Sequence, residues 1–152
     1  ARPWAHGLSL VEAPAGFTVI DDCYNANPGS MAAALATLRS LAGARPAAAV
    51  LGDMLELGDG ELEAHRRLGE LAAQSGLKLL VAFGPRSRAT WEAFAASGAE
   101  SLHVPETGSV ENAVEFLRAR LAAGDLLLVK GSRGMKLERV VEALTGNSGG
   151  GH

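Results

Sequence analysis

The feature that most constrains this fold is the regular alternation of short apolar segments with longer stretches of helical periodicity. Residues 47–51, 79–83 and 126–129 contain apolar residues only. Strands of this kind lie buried on both faces of a parallel sheet. Repeated strand–helix units of this length predict an α/β fold. We expect a Rossmann-like three-layer sandwich, with a mostly parallel sheet of about six strands and helices on both faces.

The first part of the chain predicts a β-hairpin followed by a helix. Residues 8–12 and 17–21 flank a Pro-Ala-Gly turn, which favours two neighbouring strands. Asn27 is expected to cap a helix whose first residue is Pro28. Further along the chain, the spacing of apolar residues predicts helices over 62–75, 87–96, 109–122 and 135–144, and a strand over 101–104.

The length of 152 residues is typical of one domain with a substantial core. We assign that domain to residues 8–144. Residues 1–7 are interpreted as the remnant of an interdomain linker. Residues 145–152 are Gly-rich and are expected to form a flexible tail.

The composition of the chain limits the classes of partner that it can be expected to bind. The net charge of -3 offers no broad attraction to nucleic acid or to anionic lipid. No apolar run approaches the roughly 20 residues that a membrane-spanning helix requires. The single cysteine excludes an internal disulfide and fits a reducing cytoplasm. We therefore expect a cytoplasmic protein that has neither a nucleic-acid partner nor a membrane span.

Ligands of parallel sheets bind beyond the carboxyl ends of the strands, which directs attention to the loops that follow them. Three such loops are rich in polar residues. We name them the first edge loop (residues 21–28), the second edge loop (residues 52–58) and the third edge loop (residues 130–134).

The first edge loop has the residue types that a nucleotide site requires. Carboxylates such as Asp22 can accept hydrogen bonds from ribose hydroxyls, and Tyr24 can stack on a base. The start of the following helix offers backbone N–H groups to phosphate. Asn25 and Asn27 add amide groups. The alternative is ordinary turn and capping chemistry, in which Asp and Asn are common.

The other two edge loops are candidates for ligand contact, the third of them for contact with an anion. Asp53 either reaches a ligand or caps a helical turn. Lys130 and Arg133 can bind carboxylate or phosphate, with Ser132 as a hydroxyl between them. The alternative for both cations is simple exposure to solvent. His65 falls on an apolar helix face and is interpreted as a hydrogen-bonded core residue.

Several kinds of catalytic centre lack a signature in this sequence. Neither a Gly-x-x-x-x-Gly-Lys-Ser/Thr phosphate loop nor a Gly-x-Gly-x-x-Gly fingerprint is present. The four histidines show no metal-ligand spacing, so we expect no metal site. Cys23 has no spaced catalytic partner. We therefore assign no catalytic residue to this domain alone.

The three edge loops together resemble the third domain of the Mur ligases. Residues 19–31 read VIDDCYNANPGSM, residues 50–58 read VLGDMLELG, and residues 128–135 read LVKGSRGM. These stretches are similar to three family signatures and occur in family order. The Tyr-Asn-Ala-Asn-Pro form resembles the branch that adds D-Ala-D-Ala to UDP-MurNAc-tripeptide. One departure is Gly7, which stands near where the family has an arginine that approaches the nucleotide phosphates.

The resemblance implies the C-terminal lid domain of an ATP-dependent, ADP-forming amide ligase of peptidoglycan synthesis. ATP and Mg²⁺ would be bound by the complete enzyme, and none is expected on this domain alone. Its partners would be the central and N-terminal domains, UDP-MurNAc-tripeptide and D-Ala-D-Ala. The resemblance places one group of residues near the nucleotide: Asp22, Tyr24, Asn25 and Asn27. It places a second group near the incoming dipeptide: Asp53, Lys130, Ser132 and Arg133.

Other hypotheses remain open at this point. A sister Mur ligase or a folylpolyglutamate ligase would share the C-terminal domain. A response-regulator receiver would also gather acidic residues and a lysine at strand ends, with Asp53 as the phosphorylated residue. A docking module could share the fold without the activity, since fold does not fix function.

Overall fold

A computed structural model of the chain describes residues 2–3 and 8–146, with side chains from residue 8 onward. Its centre is a single sheet of seven strands in the order β1-β2-β3-β7-β4-β5-β6. The strands are β1 (Arg2–Pro3), β2 (Ser9–Glu12), β3 (Thr18–Asp22), β4 (Ala47–Gly52), β5 (Leu79–Phe83), β6 (Glu100–Val104) and β7 (Leu126–Lys130).

The sheet is mostly parallel, as predicted. Strands β3, β7, β4, β5 and β6 run parallel to one another, whereas β2 pairs antiparallel with both β1 and β3. Strands β2 and β3 form the predicted hairpin. The count of about six strands becomes seven because the two-residue β1 adds to the edge of β2.

Five helices cover the two faces of the sheet. They are α1 (Pro28–Ala42), α2 (Glu61–Gln74), α3 (Arg88–Ala95), α4 (Glu111–Arg120) and α5 (Glu138–Thr145). Apolar residues of α1, α2 and α3 form one core cluster, and those of α4 and α5 form another on the opposite face. The three-layer sandwich predicted from the sequence is therefore confirmed.

The apolar strands explain this layering. Every residue of β4, β5 and β7 is buried. Side chains alternate between the two faces of a strand. On β4, Val50 accordingly joins the cluster under α4 and α5, whereas Leu51 joins the one under α1, α2 and α3. A continuous apolar run is thus what a central strand of a helix-covered sheet requires.

The last predicted helix begins later than expected. The sequence predicted a helix from residue 135, but Arg133–Met135 forms a short 3₁₀ turn and α5 begins at Glu138. Lys136 lies between them with φ of 54°, in the left-handed region. A left-handed residue cannot continue an α-helix, so the chain changes direction there.

The predicted chain ends differ in part from the structure. The pair Arg2–Pro3, assigned to a linker, forms a strand against β2. Thr145, assigned to the tail, is the buried last residue of α5. Gly7 lies outside the described residues, as does the stretch 147–152.

Helix α2 is joined to the second edge loop through His65. The ring is fully buried, and its Nε2 accepts a hydrogen bond from the Met54 N–H (3.0 Å). The ring Nδ1 lies 2.7 Å from the Glu61 carbonyl oxygen and must therefore be the protonated nitrogen. The interpretation of His65 as a hydrogen-bonded core residue is confirmed.

Helices α2 and α3 approach each other closely at Gly69, which generates a prediction for stability. A Cβ at this position would lie 2.3 Å from the Thr90 carbonyl oxygen and 2.8 Å from the Ala93 Cβ. We expect Gly69→Ala to lower the free energy of unfolding by about 2 kcal/mol, because overpacking outweighs the gain of about 1 kcal/mol in helix propensity. Urea denaturation measures the change.

The control is Gly108→Ala, where a Cβ would meet no atom within 4 Å. We expect this control to stay within about 0.5 kcal/mol of the parent chain. Equal denaturation midpoints for the two variants would contradict the close helix contact.

Candidate functional site

The three edge loops lie at the same edge of the sheet. Strand β7 is paired in parallel with both β3 and β4, so all three strands end together. In this register Lys130 is opposite both Asp22 and Leu51. The first and third edge loops, which are more than a hundred residues apart in the chain, therefore meet beside the second, as predicted.

A buried ion pair joins the first and third edge loops. Lys130 Nζ donates to Asp22 Oδ2 (2.6 Å) and to the Asn25 carbonyl oxygen (3.1 Å). The Lys130 side chain is only 2% exposed. A charge buried to this extent is tolerated only when it is paired and hydrogen-bonded. The pair therefore fixes the conformation of the first edge loop over the end of β7.

This burial corrects two of the predicted ligand contacts. Lys130 was predicted to face a substrate and Asp22 to face a nucleotide. Both side chains are buried against each other, so neither presents its charge to a ligand in this conformation. Their role in the described structure is to position the loops that carry the exposed groups.

Asp53 is likewise a positioning residue. It is fully buried, and its Oδ1 accepts from the Ser87 N–H (2.8 Å) and the Ser87 hydroxyl (2.7 Å). Its Oδ2 accepts from the Arg86 N–H (3.2 Å). In this conformation the carboxylate is occupied within the domain, and the predicted substrate contact stays a prediction. The capping hydrogen bonds expected from the alternative are present, although the capped turn precedes α3 and is not in Asp53's own loop.

Arg86 is a charged residue at this edge to which the sequence analysis gave no role. Its Nε donates to Glu61 Oε1 (2.8 Å), and its Nη1 lies 3.5 Å from Asp53 Oδ2. The hydrogen bond to Glu61 is the main cause that raises the pKa of Arg86. The sequence signal for Arg86 is its place directly after Gly84-Pro85, the pair that follows the end of β5.

The exposed part of the site is centred on Tyr24 and Arg133. Tyr24 is 64% exposed, and the Arg133 guanidinium lies 4.4 Å from its ring centroid. Asn25 is exposed beside them. Tyr24, Asn25 and Arg133 together form what we call the Tyr24–Arg133 surface. Two residues of the predicted nucleotide group, Tyr24 and Asn25, therefore lie in one surface with Arg133 of the predicted substrate group.

The start of α1 offers less to an anion than the sequence suggested. Asn27 is the N-cap, as predicted, and its Oδ1 accepts from the Ser30 N–H (2.8 Å). The Ser30 hydroxyl in turn accepts from the Asn27 N–H (3.1 Å). Pro28 has no N–H to donate. This capping box satisfies most of the groups that were predicted to bind phosphate.

Two small polar side chains complete this edge. The Ser132 hydroxyl is buried and forms no hydrogen bond within the described residues. The Cys23 thiol lies 3.7 Å from the Val129 carbonyl oxygen. Burial, and then the charge of Asp21, raise the pKa of this thiol well above its usual range. Cys23 thus stays protonated at neutral pH, which argues against a nucleophile.

The described residues contain no donor set for a metal ion. Among residues 2–3 and 8–146, no group of three or more His, Cys, Asp or Glu side chains is arranged to bind one. In the same part of the chain, no helix has the length and apolarity that crossing a membrane demands.

The buried ion pair generates a second prediction. We expect Lys130→Met to lower the free energy of unfolding by about 3–5 kcal/mol, because Asp22 is left buried without its partner. The matched control is Lys136→Met, since Lys136 is exposed and its side chain forms no ion pair within the described residues. Chemical denaturation measures both variants. A loss no larger in Lys130→Met than in Lys136→Met would show that the pair is unimportant.

Comparison with known proteins agrees with this geometry. Residues 8–133 match the family model described as Mur ligase, glutamate ligase domain. The UDP-N-acetylmuramoyl-tripeptide–D-alanyl-D-alanine ligase of Bacillus subtilis is 36% identical over 141 residues, which covers 90% of this chain and 30% of that protein. The Escherichia coli ligase of the same name is 36% identical and covers 85% of this chain and 27% of that protein.

Solved structures give the same result. MurF from Acinetobacter baumannii superposes with a TM-score of 0.78 at 29% identity, covering 94% of this chain and 31% of that chain. The MurF ligase from Thermotoga maritima in complex with ADP gives a TM-score of 0.74 at 27% identity, covering 95% and 31%.

The receiver hypothesis is contradicted by these observations. A receiver would need an accessible Asp53 to accept a phosphoryl group, but this carboxylate is fully buried and bound by Ser87 and Arg86. The family match points away from it as well.

The chain spans about 30% of the length of the curated relatives that it matches. The family model, which covers most of the chain, and the similarity to these ligases establish that the chain belongs to the Mur ligase family.

Proposed function

We propose that this chain is the C-terminal domain of an ATP-dependent ligase that adds D-Ala-D-Ala to UDP-MurNAc-tripeptide during cytoplasmic peptidoglycan synthesis. The observation that carries the proposal is the Tyr24–Arg133 surface, in which an aromatic ring and a cation are exposed. The buried Lys130–Asp22 ion pair holds the loops that carry them, in a domain that matches the Mur ligase family model. We propose that the folding unit comprises the assigned residues 8–144 together with the strand Arg2–Pro3 and the last helical residue, Thr145. A docking module that lacks the activity is the competing hypothesis.

The proposed reaction has two steps. The terminal carboxylate of the tripeptide attacks the γ-phosphate of ATP, which gives an acyl phosphate and ADP. The amine of D-Ala-D-Ala then attacks the acyl carbon. Phosphate leaves, the amine loses a proton, and an amide bond forms. Catalysis of this kind depends mainly on positioning and on the stabilisation of charge.

This domain contributes a binding face in the proposed enzyme. Tyr24 provides a ring that can stack on the adenosine, and Asn25 provides an amide beside it. Arg133 provides a bidentate cation that suits phosphate or carboxylate. The Ser132 hydroxyl lies next to Arg133 in the chain but is buried and without a hydrogen bond in the described structure, so a ligand would reach it only if the third edge loop moved. The remaining contacts with nucleotide and substrates belong to the central and N-terminal domains.

ATP and Mg²⁺ are proposed for the complete enzyme. The carboxylates of this edge do not fit a magnesium site, because Asp22 is paired with Lys130 and Asp53 with Ser87 and Arg86. Magnesium ligation is therefore assigned to the other domains. Asn27 retains only its amide N–H₂ group for a nucleotide, since its Oδ1 caps α1.

The activity is tested with the complete gene product and with this chain alone. Given ATP, Mg²⁺, UDP-MurNAc-tripeptide and D-Ala-D-Ala, we expect the complete protein to release ADP and form the pentapeptide product, as followed by coupled ADP detection and mass spectrometry. The isolated chain should release none, because it provides only part of the site. Absence of product from the complete protein would refute the ligase proposal. ADP release by the isolated chain would refute the proposal that this domain provides only part of the active site.

The Tyr24–Arg133 surface has its own test in the complete enzyme. We expect Tyr24→Ala and Arg133→Ala each to raise the KM for ATP about tenfold, which corresponds to about 1.4 kcal/mol of lost stacking or charge-assisted contact. Tyr24→Phe is the matched control, because it keeps the ring and should stay within about twofold. Steady-state kinetics measure the effect. An unchanged KM for ATP in Tyr24→Ala would rule out nucleotide contact at this surface.

A further inference from the structure

Strand β6 is an uncovered edge of the sheet. The strand order ends at β6, and within the described residues β6 pairs with β5 only. The outward N–H and C=O groups of an edge strand can pair with another extended chain. Glu100–Val104 contains no proline, which would remove such an N–H group. The strand is therefore chemically able to accept a further strand.

Two recesses lie on either side of this edge. The recess on the α4 side has a volume of about 1000 Å³ and the one on the α3 side about 590 Å³. The walls of the first include Leu102, Phe116, Ala119 and Arg120, and those of the second include Pro85, Trp91 and Pro105.

Leu102 and His103 line both recesses, but neighbouring side chains of β6 point to opposite faces of the sheet. Leu102 packs against the core cluster beneath α4 and α5. His103 points to the other side, where its ring is stacked on Trp91 with centroids 6.0 Å apart. A strand added beside β6 would follow the same alternation, since side chains in strands have a period of two. Its successive side chains would therefore face α4 and α3 in turn.

The α4 recess is acidic. Glu106, Glu111 and Glu115 line it, and none of the three forms an ion pair in the described part of the chain. The nearby Arg120 is already paired with Glu100 (2.9 Å) and lies 3.9 Å from the Phe116 ring centroid. Lys or Arg side chains of a partner would therefore be electrostatically favoured on this side.

The α3 recess has a different character. Its walls include the half-buried Trp91 ring, Pro85 and Pro105, the last of which it shares with the α4 recess. Its cation Arg88 forms an ion pair with Glu92 (3.3 Å). Aromatic and proline surfaces favour contact with apolar side chains. The two sides of the edge thus select for different residues.

We propose that β6 binds an extended segment of a partner protein by strand addition, with Lys or Arg residues facing α4 and apolar residues facing α3. A second copy of β6 does not meet this requirement, because Glu100–Val104 reads ESLHV and contains neither Lys nor Arg. The surface contains none of the edge-loop residues. The proposal therefore stands independently of the ligase function.

The test uses the 152-residue chain with Trp4→Phe, which leaves Trp91 as its only tryptophan. The probes are a capped Lys-Val-Lys-Val-Lys-Val peptide, its Glu-Val counterpart, and a Lys-Val peptide with alternate backbone N-methylation. We expect the Lys-Val peptide to change Trp91 fluorescence and to protect β6 amides from hydrogen exchange. The other two peptides should bind at least about tenfold more weakly, through charge repulsion and lost backbone hydrogen bonds.

Two variants of the chain distinguish the effect of charge in the α4 recess from the effect of the net charge of the protein. Glu115→Lys should weaken binding of the Lys-Val peptide about fivefold, because it reverses a charge in the α4 recess. Glu12→Lys is the matched control, since Glu12 is an exposed glutamate on β2. It should leave the affinity within about twofold. Both side chains are exposed, so unchanged urea midpoints are expected for both variants.

Three results would overturn the proposal. The first is equal affinity for the Lys-Val and Glu-Val peptides. The second is binding without protection of β6 amides. The third is protection of β6 in the absence of peptide together with a concentration-dependent dimer in sedimentation, which would identify a second copy as the occupant.

Discussion

The structure of the candidate site depends on one buried charge, the ammonium group of Lys130 at the end of β7. Taking a cation out of water costs several kcal/mol, and this cost is offset only by close partners. Asp22 and the Asn25 carbonyl oxygen supply them from the neighbouring strand end and the loop that follows it. Because β3 and β7 are adjacent and parallel, the lysine and its partners meet without any long excursion of the chain. Loss of this pairing would release the first edge loop.

A second network holds the remaining edge of the site. Asp53 accepts hydrogen bonds from the turn at Arg86 and Ser87, and His65 joins the same loop to α2. With these charges turned inward, Tyr24, Asn25 and Arg133 remain exposed at the meeting point of the first and third edge loops. A rigid frame that presents a ring and a cation outward is what a binding face needs when another domain completes the site.

Sequence patterns predicted the fold well because its causes are local. Buried central strands must be continuously apolar, and the Asn27 cap and the hairpin turn follow from neighbouring residues. Residues at the edge were harder to assign, because burial depends on contacts distant in sequence. Lys130 and Asp53 are residue types that often bind ligands. In the structure Lys130 is instead paired with Asp22, 108 residues away, and Asp53 accepts from Ser87, 34 residues away. Arg86 was overlooked for the same reason, since its importance arises only from Asp53 and Glu61.

We propose that the Tyr24–Arg133 surface forms one side of a nucleotide site that other domains complete. The most direct measurement is a crystal structure of the complete gene product with ADP bound. We expect the Tyr24 ring or the Arg133 guanidinium to contact the nucleotide, while the Lys130–Asp22 pair remains intact. A closed enzyme in which the nucleotide touches only the other domains, with this surface turned to solvent, would contradict it.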